Sequence, residues 1–177
     1  MPTSNPVAAT TTTPEIRSEG FERVRAALSA QAHAHAPVWL TSSARSAQEA
    51  ADVLGVALGQ IAKSVVFRRK GDESAVLVIA AWDRRVDERK LQTHTGPLGR
   101  ADADFVKART GFSIGGVSPL GFAPADGAAA PQLFIDESLF RFDIIWAAAG
   151  HPNGVFQMTP QQLVSLTGAP VVEVMQS

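Results

Sequence analysis

Apolar positions recur along this chain with two distinct periods. "SEGFERVRAALSAQA" sets Phe21, Val24 and Leu28, with Arg25 beside them, at helical intervals behind early acidic residues, and predicts a helix beginning at Ser18. "SAQEAADVLGV" opens with Ser46 three residues before Glu49, the spacing of a capping box, and stops near Gly55, which predicts a second helix. Between them "PVWLT" is a short strand candidate. The period then shortens. "IAKSVVF" and "SAVLVIAAW" are β-branched runs joined by "RRKGDE", whose Gly and Asp suit a tight connection, and they predict an antiparallel hairpin. "VDERKLQTHTG" and "ADADFVKARTG" predict two short helices, each ending at glycine. "QLFIDESL", "FDIIWAAAG", "GVFQMT" and "APVVEV" read as strands, and "TPQQLVSLTG" as a helix with Thr159 at the N-cap and Pro160 at its first position.

Strands outnumber the helices available to cross over between parallel neighbours. The fold class predicted is therefore mixed α/β, a curled, barrel-like, largely antiparallel sheet surrounded by helices. Residues 1–14 are Thr, Pro and Ala with almost no large apolar groups, and are expected to form a disordered tail ahead of a single domain over 15–177. No internal repeat is present.

Composition narrows the chemistry. A chain of 177 residues, 45% hydrophobic and 19% charged, has an ordinary globular balance. The absence of cysteine excludes a disulfide framework, a thiolate metal site and a cysteine nucleophile. No apolar run approaches the roughly 18 residues of a membrane span, and "MPTSNPVAATTTTPE" has neither the basic nor the apolar segment of a signal peptide, so a cytoplasmic protein with no membrane partner is expected. The charges are uneven. Residues 63–109 carry eleven Lys or Arg against seven Asp or Glu, while the remainder carries five against ten. That asymmetry suits either solvated surface or one face that attracts phosphate.

Familiar catalytic patterns are missing. Among His33, His35, His94 and His151, "HAH" lacks the acidic or sulfur ligands of a metal centre and is expected to be packing or surface, so neither metal nor cofactor is predicted. "GVSPLG" has Pro119 after Ser118 and is no nucleophile elbow, and no dinucleotide fingerprint follows a strand. Three stretches stand out. Lys63 lies inside an apolar strand, where its ammonium either points outward in the alternation or must find an anion. "GGVSPLGF", from Gly115 to Phe122, holds more backbone punctuation than a turn needs, and a glycine pair lets main-chain groups approach a ligand. "AAAGHPNGVF" sets His151 directly after Gly150, as a loop residue or part of a site.

"IAKSVVF", "VDERKLQ", "TGFSIGGVSPLGF", "LFIDESL" and "IIWAAAGHPNGVFQMTPQQLVSLTGAPVVEV", in this order, resemble the YbaK and prolyl-tRNA synthetase-associated editing domains from about Ser18 to the end. The resemblance implies the same barrel-like fold and a free-standing deacylase acting on aminoacyl-tRNA. Its implied substrate is tRNA for proline carrying Ala, Ser, Cys or 2-aminobutyrate, with prolyl-tRNA synthetase a candidate partner. By position, Lys63 matches the family lysine that engages the phosphate end of the acceptor. Gly115, Gly116, Ser118 and Pro119 fall in the family's GxxxP loop beside the scissile ester, whose amides are placed to hold the ester oxygen. Gly150 and His151 match the pocket turn, and Asp136 a frequent aspartate suited to orienting the scaffold. The implied reaction is attack by water, assisted by the terminal hydroxyl of the tRNA, with Ser118 either orienting that water or capping the turn. Ser64 after the lysine, where the alanine-editing branch has Asn, and the "AGHPN" turn lean toward relatives that clear small aliphatic or hydroxylated residues. A non-catalytic tRNA- or nucleotide-binding module is the alternative.

Overall fold

The computed structural model describes residues 18–40 and 46–177; the expected tail at 1–14 lies outside them. Helix α1 (Glu19–Ala30) starts where Ser18 accepts the N–H of Phe21, and it buries Gly20, Phe21, Val24 and Leu28 while Arg25 pairs with Glu22 at the surface. Strand β1 (Val38–Trp39) leads to α2 (Ala47–Leu54), capped by Ser46, which accepts the N–H of Glu49, and closed by Gly55 at φ 73°. The hairpin follows as β2 (Ile61–Arg69) and β3 (Ala75–Ala81). Helices α3 (Glu88–Thr95) and α4 (Ala103–Thr110) are capped by Asp87 and Asp102. Between them lies β4 (Leu98–Arg100), a strand the sequence pattern does not announce because only Leu98 of the three is buried. Strands β5 (Gln132–Asp136), β6 (Ile145–Ala148) and β7 (Gly154–Met158), helix α5 (Pro160–Thr167) with a reciprocal Thr159–Gln162 cap, and β8 (Val171–Val172) complete the chain.

The strands form one sheet in the order β1-β7-β6-β2-β3-β5-β8, with β4 also paired to β2. The sheet curls without closing, and it is more mixed than its alternation implies. The pairs β1–β7, β2–β3, β2–β4 and β6–β7 are antiparallel, whereas β2–β6, β3–β5 and β5–β8 are parallel. Every residue of β3 is buried, the usual reading of a continuous apolar run covered on both faces. One face carries the main core, with Leu77, Ile79, Ile135, Ile145, Phe156 and Leu163 against α1 and α5. The other carries a smaller cluster of Phe67, Val76, Val78, Ala80, Leu91 and Phe134. Burial of such a side chain contributes about 1.5–3 kcal/mol, so the two clusters fix which way each strand faces. Among the described residues no helix is long and apolar enough to cross a membrane.

Candidate functional site

Strand β2 is paired along one edge and interrupted along the other. Its β3 edge runs unbroken from Ala62 to Arg68. On the opposite edge Ile61 and Ala62 pair with β6, and Phe67 to Arg69 pair with β4. Among the described residues, 63–66 have no strand paired to them there, which leaves a gap in the hydrogen-bonded edge between β6 and β4. The chain leaving β4 enters α4 and then the glycine loop, and that loop lands on the turn after β6.

The two loop glycines answer different needs. Gly116 donates its N–H to the Ser113 carbonyl at 3.0 Å, closing a four-residue turn in which Gly115 takes φ 94°. That is the third position of a type II turn, which demands positive φ and hence glycine. Gly116 has no such φ, but a methyl group on it would sit 2.7 Å from the His151 Cα and 2.8 Å from its N. The pair is thus one residue for the turn and one for contact with the next loop. The Gly116 N–H is already donated within the turn. Ile114, at the turn's tip, is 59% exposed.

Gly150 and His151 form the facing wall. Gly150, at φ 86°, rests against the main chain of Gly20 at the start of α1, and a side chain there would overlap the Gly20 carbonyl. The His151 ring lies 4.5 Å from that of Trp39, inclined by 30°, and its Nδ1 accepts the Asn153 N–H at 3.0 Å. That bond places the ring proton on Nε2. Burial lowers the His151 pKa from its usual value, so the ring is neutral at pH 7 and presents an N–H donor. Ser118 is fully buried, its hydroxyl accepting the Leu120 N–H, and Pro119 is buried beside it. Of the two roles open to Ser118, this hydrogen bond is the turn cap.

Lys63 stands opposite Ala80, on the smaller-cluster face, whereas Val117 and Leu120 of the loop pack into the main core. The structure therefore brings Gly115, Gly116, Gly150 and His151 together and sends the Lys63 side chain off β2 on the other face. The Lys63 Nζ donates to the Arg84 carbonyl at 2.6 Å and lies 5.1 Å from the centre of the exposed Trp82 ring. Partial burial, followed by the Arg85 charge, lowers its pKa, with Asp83 acting in the opposite direction. Asp136 is elsewhere. It is fully buried, and its two oxygens accept the N–H groups of Ser138 at 2.8 Å and Val174 at 2.9 Å, which makes it a brace between β5 and the C-terminal segment. The sequence reading missed Trp39, the stacking partner of His151; a lone Trp in a two-residue strand carries no signal of that role.

Residues 41–166 match the profile of the aminoacyl-tRNA editing domain. The uncharacterized protein YwhH of Bacillus subtilis is 38% identical over 124 residues, covering 70% of this chain and 74% of that protein. The multifunctional Ser/Thr-tRNA deacylase ProXp-y of Escherichia coli is 35% identical over 103 residues, covering 56% of this chain and 59% of that one. A crystal structure described as a candidate trans-editing enzyme for prolyl tRNA synthetase superposes with a TM-score of 0.82 at 35% identity, over 91% of this chain and 99% of the other.

Proposed function

The chain belongs to the aminoacyl-tRNA editing domain family, and on that premise we propose that it is a trans-editing deacylase. It hydrolyses the ester between tRNA and a small non-cognate amino acid, and tRNA for proline carrying Ala, Ser, Cys or 2-aminobutyrate is the substrate set to test first. The observation that supports this reading is the gap in the outer edge of β2, with the loop of Gly115 and Gly116 and the His151 turn on the main-core face and the half-exposed Lys63 ammonium on the opposite face.

The acceptor end lies across the free edge of β2. Lys63 holds a phosphate on one face, exchanging its carbonyl partner for an anion, which a charge-assisted contact favours. The ester sits on the other face, between the glycine loop and the His151 turn. Water adds to the ester carbonyl carbon, the bond to the ribose oxygen breaks, and the water proton ends on that oxygen, relayed by the neighbouring ribose hydroxyl. The protein's part is to position ester and water, since the Ser118 hydroxyl is buried and already accepts a hydrogen bond. That same burial is what favours the second reading, a tRNA-binding module without turnover. The two separate in a deacylation assay on tRNA for proline charged with Ala, Ser, Cys or 2-aminobutyrate. Loss of the amino acid faster than in buffer supports the deacylase, and buffer rates for the whole panel would leave only binding.

A further inference from the structure

Ser64 stands at the middle of the interrupted edge, and the ladder fixes where its peptide groups point. At one end of the β2–β3 pair Trp82 donates to the Ile61 carbonyl at 2.9 Å, and at the other Arg69 donates to the Ser74 carbonyl at 2.8 Å. Antiparallel partners exchange bonds at alternate residues, so Ile61, Lys63, Val65, Phe67 and Arg69 turn their N–H and C=O toward β3. Ala62, Ser64, Val66 and Arg68 turn theirs away. On that outer edge Lys70 donates to the Pro97 carbonyl at 3.0 Å, in step with the same alternation. Ala62 meets β6 there and Arg68 meets β4. Among the described residues, the outward N–H and C=O of Ser64 meet neither strand.

The shape of this opening decides its occupant. A peptide strand needs several successive rungs, and here β6 and β4 close the edge on both sides within a few residues. One residue fits. An aminoacyl ester carries, on a single α-carbon, the donor and acceptor of one strand residue: an ammonium and a carbonyl. We propose that the aminoacyl group of the substrate docks on the free edge of β2 as a single strand-like residue, its α-ammonium donating to the Ser64 carbonyl and its ester oxygen accepting from the Ser64 N–H. This inference rests on the editing reading and names the main-chain groups that grip the substrate.

Two consequences follow from the geometry. The N–H lies on the oxygen that gains charge as water adds, so it strengthens its bond in the transition state. Directly opposed residues also share a sheet face, and Ser64 is opposite Ile79 of the main core, so an L side chain emerges beside the Ser64 hydroxyl on the side of the glycine loop.

The test uses the wild-type protein and altered esters. Alanyl-, seryl- and 2-aminobutyryl-tRNA are compared with their deaminated counterparts, propionyl-, 3-hydroxypropionyl- and butyryl-tRNA, each rate being divided by its own rate in buffer. A hydrogen bond to a charged group predicts that this acceleration drops by about 10- to 100-fold on deamination. Ser64→Pro is the second arm. It removes an N–H that β3 does not use, a change an open strand edge tolerates, and it is expected to lower kcat by about tenfold or more while melting stays cooperative. Equal acceleration of the deaminated esters, or wild-type kcat in folded Ser64→Pro, overturns the inference and leaves the editing reading standing. Buffer rates for every aminoacyl ester overturn both.

Discussion

Replacing Gly116 by Ala tests the loop contact with one methyl group. That methyl would lie 2.7, 2.8 and 3.0 Å from the Cα, N and C of His151, where ordinary contact begins at 3.4 Å. All three atoms are main chain, so no side chain can swing aside and the two loops must part by roughly half an ångström or more. Overpacking of this kind costs about 1–3 kcal/mol, which a domain with about 5–15 kcal/mol of stability survives. Melting should therefore drop by about 2–12 °C and remain cooperative. Turnover is more sensitive, because a displacement of about 1 Å at a positioned ester costs on the order of 100-fold. Gly115→Ala is the contrasting variant. Its methyl has room, 3.6 Å from Pro152, but it must hold φ 94°, so its penalty falls on turn strain rather than on spacing from His151. The measurement is kcat/KM for deacylation alongside thermal melting of both variants. Wild-type kcat/KM in Gly116→Ala would refute the idea that the spacing of these loops sets the reaction.

Three further outcomes follow from individual side chains. Lys63→Ala should weaken binding of uncharged tRNA and lower the slope of log affinity against log salt by about 0.7–0.9, the share of one phosphate contact; an unchanged slope in filter-binding titrations removes Lys63 from the phosphate. Because burial lowers the folded-state pKa of His151 below its unfolded value of 6.5, the folded state binds fewer protons there, and stability should fall as pH drops from about 7 through the folded pKa. His151→Gln should flatten that part of the melting-against-pH curve, and an identical curve would contradict it. Asp136→Asn trades an acceptor for a donor facing a main-chain N–H, so melting should fall by an amount matching about 1–3 kcal/mol, with calorimetry as the check.

What the sequence made legible was local. Ser46 and Thr159 cap their helices as spaced, and the hairpin of β2 and β3 forms where two β-branched runs flank a Gly-Asp turn. Neighbour relations were not legible. The β2–β6 and β3–β5 pairs are parallel contacts between strands separated by helices or by the hairpin itself, and a period-2 pattern says nothing about which strand lies alongside. Lys63 shows the same limit. Ala62 and Ser64 flank it and Val65 follows, so alternation alone could not assign its face; the register opposite Ala80 does. The glycine pair was legible as an unusual loop, but that Gly116 needs its missing side chain because of His151, 35 positions on, is a tertiary fact. The free groups of Ser64 are still further from view, since they arise from where two other strands stop.

A site made from peptide groups and glycines has a defined selectivity. In the proposed docking the Ser64 edge would meet the ammonium and carbonyl that every aminoacyl ester carries, so it would hold right and wrong substrates alike and contribute binding without discrimination. On that proposal, discrimination must come from what the substrate side chain meets on the main-core face, the face of Ser64 and of the glycine loop. Contact of that kind separates neighbours by only about 1–3 kcal/mol per methylene when the extra group fits loosely, and by more when it collides with main chain that cannot yield. Gly116 pressed on the His151 backbone supplies such an unyielding wall. On the proposed docking, small residues are expected to be removed and large ones rejected, and deacylation rates across esters of increasing side-chain size check this. If the Gly116–His151 contact bounds that side chain, Gly116→Ala, which parts the loops, should shift the upper size of the amino acid removed, and an unchanged size profile would rule the contact out as the limit.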